Sequence, residues 1–220
     1  MSTLKEIIYN IQNLPGKGKK TDDVKLSNRQ LEFIINHART EIAAQRVNSK
    51  KSLEGFWQEL NNLKISATKD FRPYNSDVTI LKSTIKLPSI ATGHEYGHLI
   101  DFVGFRDAVM SMQKSTVNTF NLDIENPYVK SLFFIVDDYL YIVTRDSRLS
   151  KEVYVRAVFE SPKTCVEIEG NLDPFDEFNW EYPIPTGLIG QLNNIVVNSE
   201  FKWVNVFPQD LKNDSQDAQQ

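Results

Sequence analysis

SLFFIVDDYLYIVT, residues 131–144, holds two six-residue runs of β-branched and aromatic side chains on either side of Asp137-Asp138. Runs of that length and type, joined by two polar residues, predict two antiparallel strands and a tight hairpin. The same signal extends both ways. Downstream, KEVYVRAVFES (151–161) predicts a strand with Val153, Val155, Ala157 and Phe159 on one face and Tyr154, Arg156 and Val158 on the other. Upstream, DVTILKSTIKLP (77–88) predicts a strand ending at Pro88, and LIDFVGF (99–105) another, in which Gly104 permits a bulge or a close approach. The expected result is an antiparallel β region, a meander or small sandwich, over residues 76–165.

Outside that region the period is helical. In TLKEIIYNIQ (3–12), Leu4, Ile7, Ile8 and Ile11 fall on one stripe. LSNRQLEFIINHARTEIAAQRV (26–47) opens with Ser27 and Gln30 in capping-box spacing, and Leu31, Ile34, Ile35, Ala38, Ile42 and Ala43 line its apolar face. Arg29, Arg39 and Arg46 fall away from that stripe and are expected at the surface, solvated or facing a neighbouring subunit, with His37 beside it as a packed or surface residue. TGLIGQLNNIVVNSEFKW (186–203) predicts a last helix capped by Thr186, with Leu188, Leu192, Ile195 and Val196 on one face. NSKKSLEGFWQELNNLKI (48–65) is ambiguous: Phe56, Trp57, Leu60 and Leu63 suit a helix, but Gly55 weakens one by about 1 kcal/mol.

The fold class is therefore α+β, with N- and C-terminal helices packed with a mostly antiparallel sheet. Its expected regions are a helical part at 1–75, the β region at 76–165, an irregular arm and helix at 166–208 and a loose tail at 209–220, all in one folding unit. The arm, GNLDPFDEFNWEYPIP (170–185), is acidic, aromatic and proline-bearing. The tail lacks the apolar residues to offset its ordering entropy.

Composition narrows the function classes. The chain has 220 residues, 40% hydrophobic and 25% charged, which is ordinary for a globular protein with its own core. A net charge of −4 argues against a protein built to grip nucleic acid through phosphates. No apolar run is long enough to span a bilayer, and MSTLKEIIYN has no signal-peptide pattern, so a cytoplasmic protein is expected. A lone cysteine, Cys165, can form no internal disulfide and is expected as a small strand residue. Lys17, Lys19 and Lys20 in LPGKGKKTDD (14–23) lack phosphate-loop spacing and belong to a solvated loop.

One motif suggests chemistry. His94-Glu95-Tyr96-Gly97-His98 matches H-E-x-x-H, in which a helix turns two imidazoles onto one zinc ion and the glutamate acts as general base. The alternative function is accordingly a zinc-dependent metallopeptidase with His94 and His98 as ligands and Glu95 as base. The context opposes it. Pro88, Gly93 and Gly97 weaken a helix, and the strand pattern that follows places the motif in a loop. The positions where an extended motif carries glycine and a third histidine hold Asp101 and Gly104, and Glu125 lies in NLDIENPY (121–128), which does not read as helical. No catalytic, cofactor-binding or metal residue is assigned, and no cofactor.

The order of several segments points elsewhere. LSNRQLEFIINHARTEIAAQ (26–45), TIKLPSI (84–90) followed by LIDFVGFRD (99–107), YLYIVT (139–144), VYVRAVFESP (153–162) leading to Cys165, and FPQDLKND (207–214) together resemble the virion ring proteins of crAss-like bacteriophages. The resemblance implies terminal helices on a compact β region, as in head-to-tail adaptors of short-tailed phages, and no catalytic role for the segment around 90–98. It implies a structural, non-enzymatic virion protein made in the host cytoplasm. Its place is a homo-oligomeric ring, a dodecamer by the portal's symmetry, docked beneath the portal and against adjacent ring or tail proteins. Genomic DNA passes through the lumen without specific binding, and no membrane is involved. The chain departs from the pattern at NSKKSLEGFWQELNN (48–62), where a more strand-like lead is expected. A ring subunit needs large contact surfaces, for which Phe175, Phe178, Trp180 and Tyr182 are candidate anchors, although packing on their own domain explains them equally.

Overall fold

The computed structural model describes residues 2–13, 26–74, 77–93, 97–105, 111–145, 152–173 and 175–200. The GKGKK loop and the C-terminal tail lie outside them. The chain divides into two compact units, residues 1–42 with 178–220, and residues 43–177.

The first unit is built from both ends of the chain. Helix α1 (Leu4–Asn13) buries Leu4, Ile7, Ile8 and Ile11, the stripe predicted from their spacing. A reciprocal capping box starts it: the Thr3 amide donates to Glu6 Oε2 at 3.0 Å, and the Glu6 amide to Thr3 Oγ1 at 3.2 Å. Two more amides of its first turn, Leu4 and Lys5, donate to the Trp180 and Phe178 carbonyls at 3.1 and 3.0 Å, so the arm satisfies donors that a helix start leaves orphaned. Helix α2 (Asn28–Asn48) opens with the predicted Ser27–Gln30 box, its two bonds 2.8 and 3.3 Å long, and continues into the second unit.

The arm also corrects one expectation. Arg39 is not at the surface: it is 0% exposed, and its Nε donates to the Pro183 carbonyl at 2.8 Å. A long side chain with one charged end follows its partners, and here the partners lie in the arm, about 140 residues further on. Of residues 186–203, those described, up to 200, are helical as predicted but not as one α-helix. Thr186 does not cap: Thr186–Leu188 is a 3₁₀ turn entered from Pro185 with no side-chain cap bond, followed by α5 (Ile189–Ile195) and a π-helical turn (Val196–Glu200). Leu192 and Val196 of the predicted stripe are buried.

The second unit is a curled, mostly antiparallel sheet. Its strands are β1 (Gln58–Ala67), β2 (Thr79–Ser83), β5 (Ile100–Phe105), β6 (Gln113–Lys114), β7 (Ser131–Val136), β8 (Tyr139–Thr144) and β9 (Glu152–Ala157), in the order β5-β9-β1-β2-β8-β7-β6. β3 (Thr92–Gly93) and β4 (Gly97–His98) pair separately. The ambiguous stretch around residue 60 is thus strand: alternate residues of β1 are buried on either side of a register shift between Leu60 and Leu63. β7 and β8 form the predicted hairpin, with Asp137 and Asp138 at φ 50° and 66° in the left-handed region that a two-residue primed turn requires. The DVTILKST strand ends at Ser83, before Pro88. Among the described residues, only β6 against β7 is a parallel pair. The Met112 amide donates to the Val103 carbonyl at 2.8 Å just before β6, so residues 112–114 join β5 to β7 and draw the sheet edges together.

Two cores use opposite faces of this sheet. The inner one takes Leu60, Leu63, Val103, Phe105, Phe133, Leu140, Ile142, Val153, Val155 and Ala157, the inward residues of nearly every strand. Cys165 closes one end of it from helix α4 (Pro162–Ile168), not from a strand as expected; it sits there as a small buried thiol. The outer core lies on β2, β7 and β8 and contains Ile80, Leu132, Phe134, Tyr141 and Val143 under a short helix, α3 (Phe120–Glu125). That helix contradicts the non-helical reading of NLDIENPY. Phe120 and Ile124, four apart, are buried among Phe71, Phe134 and Tyr141, and tertiary burial overrides a weak local signal.

Candidate assembly surfaces

The H-E-x-x-H segment lies between two paired pieces of extended chain. Thr92 opposes His98 and Gly93 opposes Gly97, with Gly97 at φ +62°. The Leu99 amide donates to the Ala91 carbonyl at 2.8 Å. His94, Glu95 and Tyr96 fall outside the described residues. His98 is exposed on β4, paired with Thr92. Glu125 sits in α3, and among the described residues no three His, Cys, Asp or Glu side chains are grouped to hold a metal ion.

The aromatic residues of the arm separate into two kinds. Tyr182 is fully buried, and its hydroxyl donates to Asn36 Oδ1 at 2.8 Å. Burial pushes its phenol well above the usual range; the Arg39 guanidinium, 5.9 Å from the ring, opposes that shift and Glu32 adds to it. Trp180 packs beside Tyr182 at 5.6 Å and is also buried. These two are packing residues of the first unit. Phe178 is half-buried, and Phe175, in the second unit, is 97% exposed.

Sequence reasoning missed a larger apolar surface around α3. Leu122 points away from the buried Phe120 and Ile124 and is 66% exposed; Tyr74 and Tyr128 are 79% and 91% exposed. Their backbone is held in place. The Tyr74 amide donates to Asn121 Oδ1 at 3.1 Å, the Tyr128 amide to Asn126 Oδ1 at 3.0 Å, and Asp123 accepts from Ser115 Oγ and, at 2.9 Å, from Thr119 Oγ1. The only sequence signal was an isoleucine four residues after a phenylalanine beside an outward leucine.

On the other side of the curl, the outer face of β5, β9 and β1 carries half-exposed aromatic and charged groups. Phe102 and Tyr154 meet edge to face at 5.5 Å, and Tyr154 lies opposite Gly104 in the strand register. Arg156 reaches Asp101 at 3.4 Å and Glu59 at 3.9 Å, and its guanidinium lies 6.0 Å from the Trp57 ring. Partial burial and the Glu59 carboxylate raise the Tyr154 phenol well above its ordinary value. A third polar cluster joins β2 to β8. Asp70 accepts from Lys82 at 2.8 Å and from the Tyr141 hydroxyl at 2.9 Å, and these bonds, Lys82 first, lower its carboxyl from 3.8 to about 2.

The architecture is a curled β sheet with exposed aromatic side chains around α3, and His98 of the H-E-x-x-H motif lies on a strand. Residues 6–219 match the family model described as phage tail ring protein 2, and the chain belongs to that family. Its role is accordingly structural, in the tail ring of a phage particle, as one component of an oligomeric assembly. No curated protein matches the chain. No helix among the described residues is long and apolar enough to cross a membrane.

Proposed function

We propose that the protein is a ring subunit of the head-to-tail connector, placed beneath the portal, where a closed ring of twelve copies contributes to the channel through which the genome moves. The match of residues 6–219 to a tail ring family carries this reading. Two further features support it. The net charge of −4 suits a passage that must not hold DNA, because a strongly basic lumen would bind phosphates through counterion release. The pairing of Gly97 and His98 with Gly93 and Thr92 favours a non-catalytic role for the H-E-x-x-H segment, so no cofactor is assigned. Cryo-electron microscopy of purified particles tests the proposal. The expected result is twelve-fold density for this chain against the portal, and its absence from the particle would end the reading.

A further inference from the structure

We propose that neighbouring copies in the ring join head to tail, the α3 face of one copy (Tyr74, Leu122, Tyr128) seated on the outer face of β5, β9 and β1 (Trp57, Phe102, Tyr154, Arg156) of the next. The proposal rests on the ring reading and names the surfaces that would close it.

A cyclic ring requires two different, mutually complementary faces on each subunit, because each copy offers one side to the neighbour ahead and the other to the neighbour behind. The second unit supplies such a pair. α3 packs on β7 and β8, whereas the second face centres on β9, and strands β1 and β2 stand between β9 and β8 in the sheet order. The two faces therefore lie on different strands of one curled sheet, as a contact between two different surfaces requires.

Each face has the chemistry of a protein contact. The α3 face exposes two tyrosines and a leucine at 79%, 91% and 66%, with Val117 at its margin. With roughly 150–250 Å² on each aromatic side chain, the patch is on the order of 400 Å², at the upper end of what a monomer leaves in water. A stable interface takes about 800 Å² from each partner, so the patch forms about half of one side, with polar neighbours completing it. Tryptophan, tyrosine and arginine, the residues most often found at the energetic centre of an interface, make up most of the opposite face. Arg156 is ion-paired there with two carboxylates, Asp101 and Glu59. An aromatic surface with one carboxylate in excess fits a tyrosine-bearing partner such as α3, whose hydroxyls can donate. Both surfaces are held in shape before contact, one by the bonds that Asn121, Asn126 and Asp123 accept and the other by strand pairing, which limits the ordering entropy lost on association.

Sedimentation velocity on the full chain from micromolar to several hundred micromolar tests this. Wild type should associate with little dependence on salt. Leu122→Ser with Tyr128→Ser, which change only exposed side chains, should weaken association at least tenfold, and so should Asp101→Arg, which sets a second guanidinium beside Arg156 and blocks the sheet face. Glu59→Arg replaces Asp101→Arg if the latter alters the circular dichroism spectrum. The decisive sample mixes the two variants. Each keeps one intact face, so assembly should stop at a 1:1 dimer. A wild-type chain that stays monomeric throughout, variants that associate like wild type, or a mixture that forms no dimer would each overturn the proposal. These results are independent of whether the chain is found in the particle, which tests the ring reading alone.

Discussion

Arg39→Met is the sharpest perturbation of the first unit. The arginine is fully buried, donates to the Pro183 carbonyl at 2.8 Å and lies 5.9 Å from the Tyr182 ring. Methionine keeps most of the volume and removes the charge. A charge-assisted bond contributes about 1.5–3 kcal/mol, and a buried carbonyl that loses its donor carries a penalty of about the same size. The ring contact, at the outer limit of useful distance, adds about 0.5 kcal/mol. Releasing the guanidinium from its desolvated site offsets part of this, which leaves a net loss of about 2 kcal/mol. Arg39→Ala adds a cavity and should lose about 4 kcal/mol. The arm residues 178–182 hold the first turn of α1, so the loss should appear there and at the start of α2. Hydrogen exchange read by mass spectrometry on residues 4–13 and 28–42 measures it: about 2 kcal/mol is roughly a 30-fold faster exchange of protected amides. Buried ion pairs are sometimes improved by apolar replacement. Exchange unchanged within threefold, or slowed, in Arg39→Met would therefore refute the claim that this guanidinium ties the arm to α2.

Three further outcomes follow from the second unit. Asp138→Val places a β-branched side chain at φ 66° and should destabilise the β7–β8 hairpin by about 1–2 kcal/mol in urea unfolding, whereas Asp138→Gly should be close to neutral. Asp70 should titrate near pH 2 by carbon-detected NMR and move back up in Lys82→Met. Because its folded value lies below the ordinary 3.8, its contribution to stability is complete above about pH 4 and is lost as the pH falls towards 2. Protein purified without chelator should hold no stoichiometric zinc by elemental analysis. One zinc per chain, lost in His98→Ala, would restore the metallopeptidase reading.

The hairpin was legible because its two strands and its turn agree. Branched and aromatic runs of equal length flank two residues that tolerate positive φ, so no tertiary information was needed. The α1 stripe and the Ser27–Gln30 box were legible for the same reason: spacing alone decides which side chains meet. Misreadings arose where distant chain decides. Arg39 looks like a surface residue until Pro183 and Tyr182 are brought to it. Cys165 sits beside a strand-like run, but Pro162 starts a helix there, and the pair of bonds from Gly170 and Asn171 to the Glu167 and Val166 carbonyls ends it seven residues later. α3 becomes stable only because β7 and β8 supply an aromatic floor for Phe120 and Ile124.

The contrast is sharpest for the functional surfaces. A metal site is legible from sequence because its chemistry fixes residue types at fixed intervals, which is why H-E-x-x-H invites attention. In this chain the described end of the motif is strand instead, with Thr92 paired to His98, Gly93 to Gly97, and a return bond from Leu99 to Ala91. A contact surface has no such spacing. Tyr74 and Tyr128 lie 54 positions apart in the chain, and it is the bond from the Tyr74 amide to Asn121 that brings Tyr74 to α3. Asn121→Ala therefore separates the two kinds of site experimentally. It should release the Tyr74 loop and weaken self-association several-fold while leaving the sheet's unfolding transition within about 1 kcal/mol of wild type. An unchanged sedimentation profile would show that Tyr74 takes no part in the contact.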